Sequence, residues 1–330
     1  MINSSENSFT VIIPYFRNKK TILKTLESVS QQTLAPYETI IIDDGSLDSF
    51  LPTLKSYFNF TLVSSNENKG TALSRTIATK LARSDYIALL DADDLWLPNH
   101  LEIHKSLWDR VDANTACVGT SMYLFQEELP KTTEAKGKLQ KSHLVRISPL
   151  NLAFQNVFFN SATTFSLSKL QQIGFWINST PSYCEDYSLL FSFLKSDFHL
   201  YFSTMKTGYY RISDSSKSSN IALIFESKCL VISDFFDSTY SWSIVKRNLK
   251  KLYIFNIWLS SVKTMLNREL PYSTLTSRHS NNSLLFRFFD LFFQNKFIWS
   301  TLSLLNRYFF KRIKTRLTLA FSHFNKKHFT

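Results

Sequence analysis

The chain has 330 residues, 44% of them apolar, enough for one large or two ordinary domains with a sizeable hydrophobic core. Six Gly and eight Pro exclude collagen-like, Gly/Ser-linker and Pro-rich classes. The net charge of +12 sits wholly in residues 221–330, with 17 Lys and Arg against 5 Asp and Glu, while residues 1–220 balance at 21 of each. Three scattered cysteines, Cys117, Cys184 and Cys229, predict no disulfide framework and a reducing compartment. MINSSENSFT has no basic or apolar leader region, and no stretch reaches ~18 consecutive apolar residues, so neither a secretory signal nor a membrane span is expected.

Residues 10–14 read as a short buried strand, and Ile22, Leu23, Leu26 and Val29 set a helical spacing within 19–32. Residues 38–42 form a second strand, followed by Asp43-Asp44-Gly45-Ser46, where Ser46 or Asp48 is placed to cap a helix over 49–58. A strand at 60–63, a helix at 70–82 starting near Thr71, a strand at 85–90 and a helix at 98–112 with Pro98 in its first turn complete the series. Such alternation predicts a parallel sheet with helices on both faces and a ligand beyond the carboxyl ends of the strands. Polar clusters fall at those four ends: 14–15, 43–46, 66–70 and 91–94.

From about 115 to 210 the pattern becomes an α+β mixture, with a strand over 117–125 and a charged loop over 127–141. From 220 onward it is helical and basic. Between 284 and 311 polar residues recur at steps near three, four and seven opposite a Phe- and Leu-rich face. This last third holds 15 of the 30 Phe. Basic charge with apolar rings fits an anionic membrane surface, with a packed helical subdomain as the competing reading. Nucleic acid is not expected, because no recognition motif accompanies the charge.

Asp91-Ala92-Asp93-Asp94 places carboxylates at i and i+2 behind a buried strand. Such a pair can share Mg²⁺ or Mn²⁺ with a phosphorylated substrate, since these ions bridge one or two carboxylates to phosphates. The competing reading is an acidic loop in which Asp94 caps the helix near Pro98. In Asp43-Asp44-Gly45-Ser46 an ionised carboxylate can accept a uracil imide N–H or a ribose hydroxyl, and Gly45 permits a tight turn. A plain Gly turn with a cap accounts for Gly45 and Ser46 but not for two adjacent acids. His100 and His104 have an i, i+4 spacing able to bind zinc, yet Glu102 is misplaced for H-E-x-x-H and no third ligand is near. G-x-G-x-x-G and G-x-x-x-x-G-K-[ST] are both missing, which disfavours dinucleotide binding and ATP hydrolysis.

In order along about 210 residues, the sequence carries Val11-Ile-Ile-Pro14-Tyr15, Ser28-Val-Ser-Gln-Gln-Thr33, Glu38 to Ser46 with Asp48, Asn68-Lys69-Gly70, Arg75, Asp85-Tyr86-Ile87 and Asp91-Ala-Asp-Asp-Leu-Trp96. Gly174-Phe175, Cys184-Glu185-Asp186-Tyr187 and Tyr210-Arg211 through Ser218 follow. This ordered set resembles the family 2 glycosyltransferases. The resemblance implies a GT-A (Rossmann-like) α/β domain over 1–220 with a mixed, mostly parallel sheet, and a helical C-terminal region over 221–330. It implies inverting transfer of a sugar from a UDP-sugar or other nucleotide sugar to a hydroxyl, the acceptor being a lipid-linked or cell-envelope glycan. By the same resemblance Pro14, Tyr15, Asp43 and Asp44 surround the base and ribose, and Lys69 and Arg75 face the diphosphate. Asp91 with Ala92 meets the ribose or sugar, Asp93 with Asp91 holds Mn²⁺ or Mg²⁺, and Asp186 is the general base with Glu185 beside it. The expected location is cytoplasmic, peripheral on the membrane.

Three departures from the family pattern stand out: Tyr15-Phe16-Arg17-Asn18 after the first strand, Thr76 in place of an Asn, and Ser213 or Asp214 where a His often completes the metal site. The last leaves the third metal ligand open. It also motivates an alternative, a catalytically impaired domain that binds nucleotide sugar or serves as a scaffold at the membrane.

Overall fold

The computed structural model describes residues 8–46, 49–126, 143–176, 184–212 and 220–239, together with 250, 254, 257, 260–262 and 264. The chain divides into two compact units, Met1–Ser216 and Lys217–Thr330.

In the first unit β1 (Phe9–Tyr15), β2 (Glu38–Asp43), β3 (Thr61–Ser64) and β4 (Tyr86–Leu89) run parallel in the order β3-β2-β1-β4. Val11, Ile12, Ile13, Ile40, Ile41 and Ile42 are buried, so β1 and β2 lack the alternation of a strand with one wet face. Pro14 does not stop β1, because it lies one residue from the strand's end, where a missing N–H costs little. α1 (Ile22–Ser30) links β1 to β2, while α2 (Phe50–Thr53) and a 3₁₀ turn (Leu54–Ser56) precede β3. The helix expected over 49–58 is thus split and shorter, and Ser49 rather than Ser46 precedes it. α3 (Thr71–Leu81) then carries the chain back across β2 and β1 to β4, packing on both. Right-handed crossovers put α1 on one face and α3 on the other. The direction of strand addition reverses between β1 and β4, the place where open sheets of this kind hold ligands.

Beyond β4 the sheet is mixed. β8 (Thr163–Ser166) runs antiparallel to both β4 and β6 (Thr115–Phe125), and β9 (His199–Arg211) pairs parallel with β6. β5 (Leu95–Trp96) and β7 (Leu144–Arg146) flank β9 antiparallel. Gly208 makes the β5 contact possible: a Cβ there would lie 2.6 Å from the Leu95 carbonyl oxygen. Three further helices, α5 (Pro149–Phe154), α6 (Leu167–Ile173) and α7 (Glu185–Lys195), complete this unit beside α4 (His100–Trp108).

α4 resolves the histidine spacing. His100 and His104 are fully buried within a threonine network. His100 Nδ1 lies 2.9 Å from Thr207 Oγ1, and His104 bonds Thr164 and Thr120 through its two ring nitrogens. Burial holds His104 down to about 3 and His100 well below the imidazole range. These are neutral core side chains, and among the described residues no group of three metal-binding side chains surrounds them.

In the second unit α8 (Ile221–Thr239) buries Phe225, Cys229, Ile232 and Phe236, a stripe with helical spacing. No described helix is long and apolar enough to cross a membrane. The amphipathic pattern at 284–311, the charged loop at 127–141, Asp48, Ser213 and Asp214 lie outside the described residues.

Candidate active site

The acidic pair after β2 is spent on building a platform. Asp43 is 3% exposed, and its Oδ1 accepts the Ser46 N–H at 2.9 Å. Asp44 accepts the backbone N–H of Lys69 at 2.8 Å on one oxygen and that of Gly70 at 2.9 Å on the other. Gly45, at φ +79°, sits where a Cβ would fall 2.4 Å from the Glu67 carbonyl carbon. The loops after β2 and β3 are therefore clamped together, and the Arg17 N–H joins them through Ser46 Oγ at 2.8 Å. Lys69 itself stays partly exposed and pairs with Glu67 at 3.6 Å.

The Asp91–Asp94 turn is pinned from three sides. Ala92 is buried, and its carbonyl accepts the hydroxyls of Thr21 at 2.8 Å and Thr25 at 3.1 Å. Ser161 Oγ accepts the Asp91 N–H at 3.0 Å and donates to Asp94 at 2.5 Å. The Arg211 N–H donates to the other Asp94 oxygen at 2.8 Å, and Arg211 Nε donates to the Asp93 carbonyl at 3.1 Å. Asp94 does not cap α4, whose N-cap is Asn99. Burial, then Asp91 and Asp93, push the Asp94 carboxyl well up. Asp93 is pushed up to about 6, by burial first and by the neighbouring Asp91 second.

Arg75 connects this turn to the start of α7. Its side chain is 2% exposed; Nη2 meets Asp91 Oδ1 at 2.9 Å, and Nη1 lies 3.7 Å from Glu185 Oε1. Its Nε and Nη1 are buried with no hydrogen-bond acceptor among the described residues. Asp186 follows Glu185 in the first turn of α7. Tyr210, near the end of β9, is the second link. Burial raises its phenol, and the charges of Asp91, Asp94, Asp93 and Asp186 each raise it further.

Asp91, Asp93, Glu185 and Asp186 are thus brought together across Arg75 and Tyr210. Asp43 and Asp44 stand at the carboxyl end of β2, and Asp44 is tied to Lys69 and Gly70, which lead into α3 and Arg75. Two side chains named from sequence do not face this edge. The Tyr15 ring is fully buried in the core, and Ala92 is buried with its carbonyl engaged by α1. The aromatic ring left at the end of β1 is Phe16, 38% exposed with the Arg17 guanidinium 4.9 Å from its centroid. Phe16 carried the signal of being a departure from the family pattern. Ser161 and Tyr210 carried none, because a lone Ser within a 3₁₀ turn (Asn160–Ala162) and a Tyr within a strand have no periodic signature.

No group of three or more metal-binding side chains is assembled among the described residues. The chemistry of the donors still fits Mg²⁺ or Mn²⁺. Asp94 is committed to the turn, which leaves Asp91 and Asp93, and these ions take one or two carboxylates plus phosphate oxygens and water.

The sheet is mixed α/β with acids gathered at its switch point, the arrangement of the GT-A fold. Residues 10–169, just under half of the chain, match the family model described as glycosyl transferase family 2. The similarity to that family lies in this segment. Among relatives, the Escherichia coli UDP-Glc:alpha-D-GlcNAc-diphosphoundecaprenol beta-1,3-glucosyltransferase WfaP is 26% identical over 216 residues, covering 64% of this chain and 80% of WfaP. E. coli WfgD, of the same described activity, is 35% identical over 100 residues, 30% of this chain. The match spans 40% of WfgD, and for two other curated glycosyltransferases 32% and 17% of their length. Staphylococcus aureus TarS 1–349, solved in complex with UDP-GlcNAc, superposes with a TM-score of 0.59 at 15% identity over 87% of this chain and 89% of that one, which establishes the shared fold.

Proposed function

We propose that this protein is a glycosyltransferase that moves a sugar from a UDP-sugar, or another nucleoside-diphospho-sugar, to a hydroxyl of a lipid-linked or cell-envelope glycan, inverting the anomeric centre. The observation that carries the reading is the Arg75 bridge, which joins the acidic turn to the acid pair of α7. The described activities of WfgD and WfaP and the UDP-GlcNAc in TarS favour the donor and acceptor classes named here.

In this reading the base and ribose lie over the platform built by Pro14, Asp43, Asp44 and Gly45, with Phe16 offering its exposed face to the base. Lys69 and the unfilled donors of Arg75 face the diphosphate. Asp91 and Asp93 would hold Mn²⁺ or Mg²⁺, and the ion when bound would supply charge neutralisation to the diphosphate leaving group. Asp186 takes the proton of the acceptor hydroxyl while the new C1–O bond forms. Glu185, fixed by Arg75, stands beside it against the sugar or acceptor. Attack from the face opposite the departing diphosphate passes through an oxocarbenium-like state and inverts the centre. Residues 1–220 form the transferase domain. The basic region 221–330 attaches the protein peripherally to the cytoplasmic face of the membrane.

A screen for UDP release, with divalent cation present and a membrane-lipid extract as acceptor, tests this directly. The expected result is a sharp preference for one donor, and a fall in kcat of roughly 10²–10⁴-fold for Asp186→Asn. A wild type that binds UDP but turns over no donor, with binding unchanged in Asp186→Asn, would instead identify a binding or scaffold subunit.

A further inference from the structure

Resting on the functional reading above, we infer that Arg211 is a positioning residue for the transfer: its guanidinium fixes the backbone of the Asp91–Asp94 turn and so aims the Asp93 carboxylate. Arg211 is the last residue of β9 and stands opposite Phe125, near the end of β6. Its Nε donates to the Asp93 carbonyl at 3.1 Å, and its Nη1 donates to the Gln126 carbonyl at 2.8 Å. The guanidinium carbon lies 4.4 Å from the centroid of the Phe125 ring, which fixes the plane of the fork. The Arg211 backbone N–H completes the clamp at Asp94 Oδ1, 2.8 Å away.

The geometry is selective. Asp91 is anchored by Ser161 and Arg75, and Ala92 by the threonines of α1. The peptide between Asp93 and Asp94 is held on its N–H by the Asp91 carbonyl at 3.1 Å and on its carbonyl by Arg211, whose own N–H also meets the Asp94 side chain. Rotation of that peptide would swing the Asp93 side chain while leaving Asp91 in place. A planar fork can meet two carbonyls at once, whereas a lysine ammonium is a single compact charge on a flexible stem. Arg211 makes no hydrogen bond to the carboxylates of Asp91 or Asp93 among the described residues; its bonds to the turn go to the Asp93 carbonyl and, from its own N–H, to Asp94.

The test compares Arg211→Lys, Arg211→Ala and wild type in the full chain. Arg211→Lys keeps the charge and loses the span. It is expected to lower kcat by roughly 10–10²-fold, as misplacement of a reacting group by about 1 Å does, with the melting temperature near wild type. Calorimetric titration of UDP gives a readout independent of turnover. Affinity without metal should match wild type in both variants, and the gain in affinity on adding Mn²⁺ should be lost. Wild-type kcat and a wild-type Mn²⁺ gain in Arg211→Lys would overturn the inference. So would losses that follow the melting temperature in both variants, which is the signature of a purely structural residue. Should the wild type turn over no donor, the functional reading fails, and the calorimetry still decides: no Mn²⁺ gain in wild type, or an equal gain in the variants, removes the role given to Arg211.

Discussion

Asp94 is buried between Ser161 and the Arg211 amide, while Asp93, one residue earlier, keeps a carboxylate that hydrogen-bonds only within its own residue among the described groups. Substitution should separate the two. Asp94→Asn, which keeps the shape, should leave the fold intact. Asp94→Ala strands a hydroxyl and an N–H, and should cost about 1–3 kcal/mol in a denaturant titration. Phe16→Ala should weaken UDP binding by about 1–3 kcal/mol, the size of a base–aromatic stack, without moving the melting temperature. The buried histidines make a pH prediction. Because their folded values lie below the unfolded ~6.5, the unfolded chain binds more protons between that value and about 3 for His104. Stability from these groups is complete above ~6.5 and declines as pH falls, by at most about 1.4 kcal/mol per pH unit for each histidine. Asp93, raised to about 6, works in the opposite sense, its cost to the fold easing as pH falls through that value. The His104 ring resonances followed by NMR should show no titration from pH 8 down to 5.

At the scale of elements, the site depends on two close approaches that only glycine permits, Gly45 against the Glu67 backbone and Gly208 against the Leu95 carbonyl. Gly45→Ala meets both a positive φ and the Glu67 backbone, so it should lower stability by more than the ~1–3 kcal/mol of backbone strain alone. It should also weaken UDP binding, measured on the fraction that remains folded. Much of this architecture was legible in the sequence. β1, β2 and β4 announce themselves as apolar runs, and β2 and β4 lead into the acidic clusters of the candidate site. β5 was not legible, because two residues carry no period, yet its pairing with β9 sets the acidic turn beside Tyr210 and Arg211. Tyr15 and Phe16 could not be told apart for a similar reason. A strand buried on both faces gives no alternation to say which ring turns outward. The roles of Asp44 and Asp94 as clamps were equally hidden, since their partners lie 25 and more residues away along the chain.

Across the whole molecule, the first 220 residues balance in charge and the last third is basic; in the proposed function the former carries the chemistry and the latter the location. A peripheral attachment predicts that the full chain floats with anionic vesicles and not with neutral ones. Each Lys or Arg near such a surface contributes about 1 kcal/mol, a gain that falls away with added salt as screening shortens its range. Equal flotation with both vesicle types, or none with either, would make residues 221–330 a packed helical region instead. The central claim is that the acidic turn joins a divalent cation to the nucleotide diphosphate. Titration of UDP into wild type and Asp93→Asn, each with and without Mn²⁺, tests it most directly. The account predicts that Mn²⁺ tightens UDP binding in the wild type and has no effect in Asp93→Asn, whose metal-free affinity is preserved. The same gain from Mn²⁺ in both proteins would contradict it.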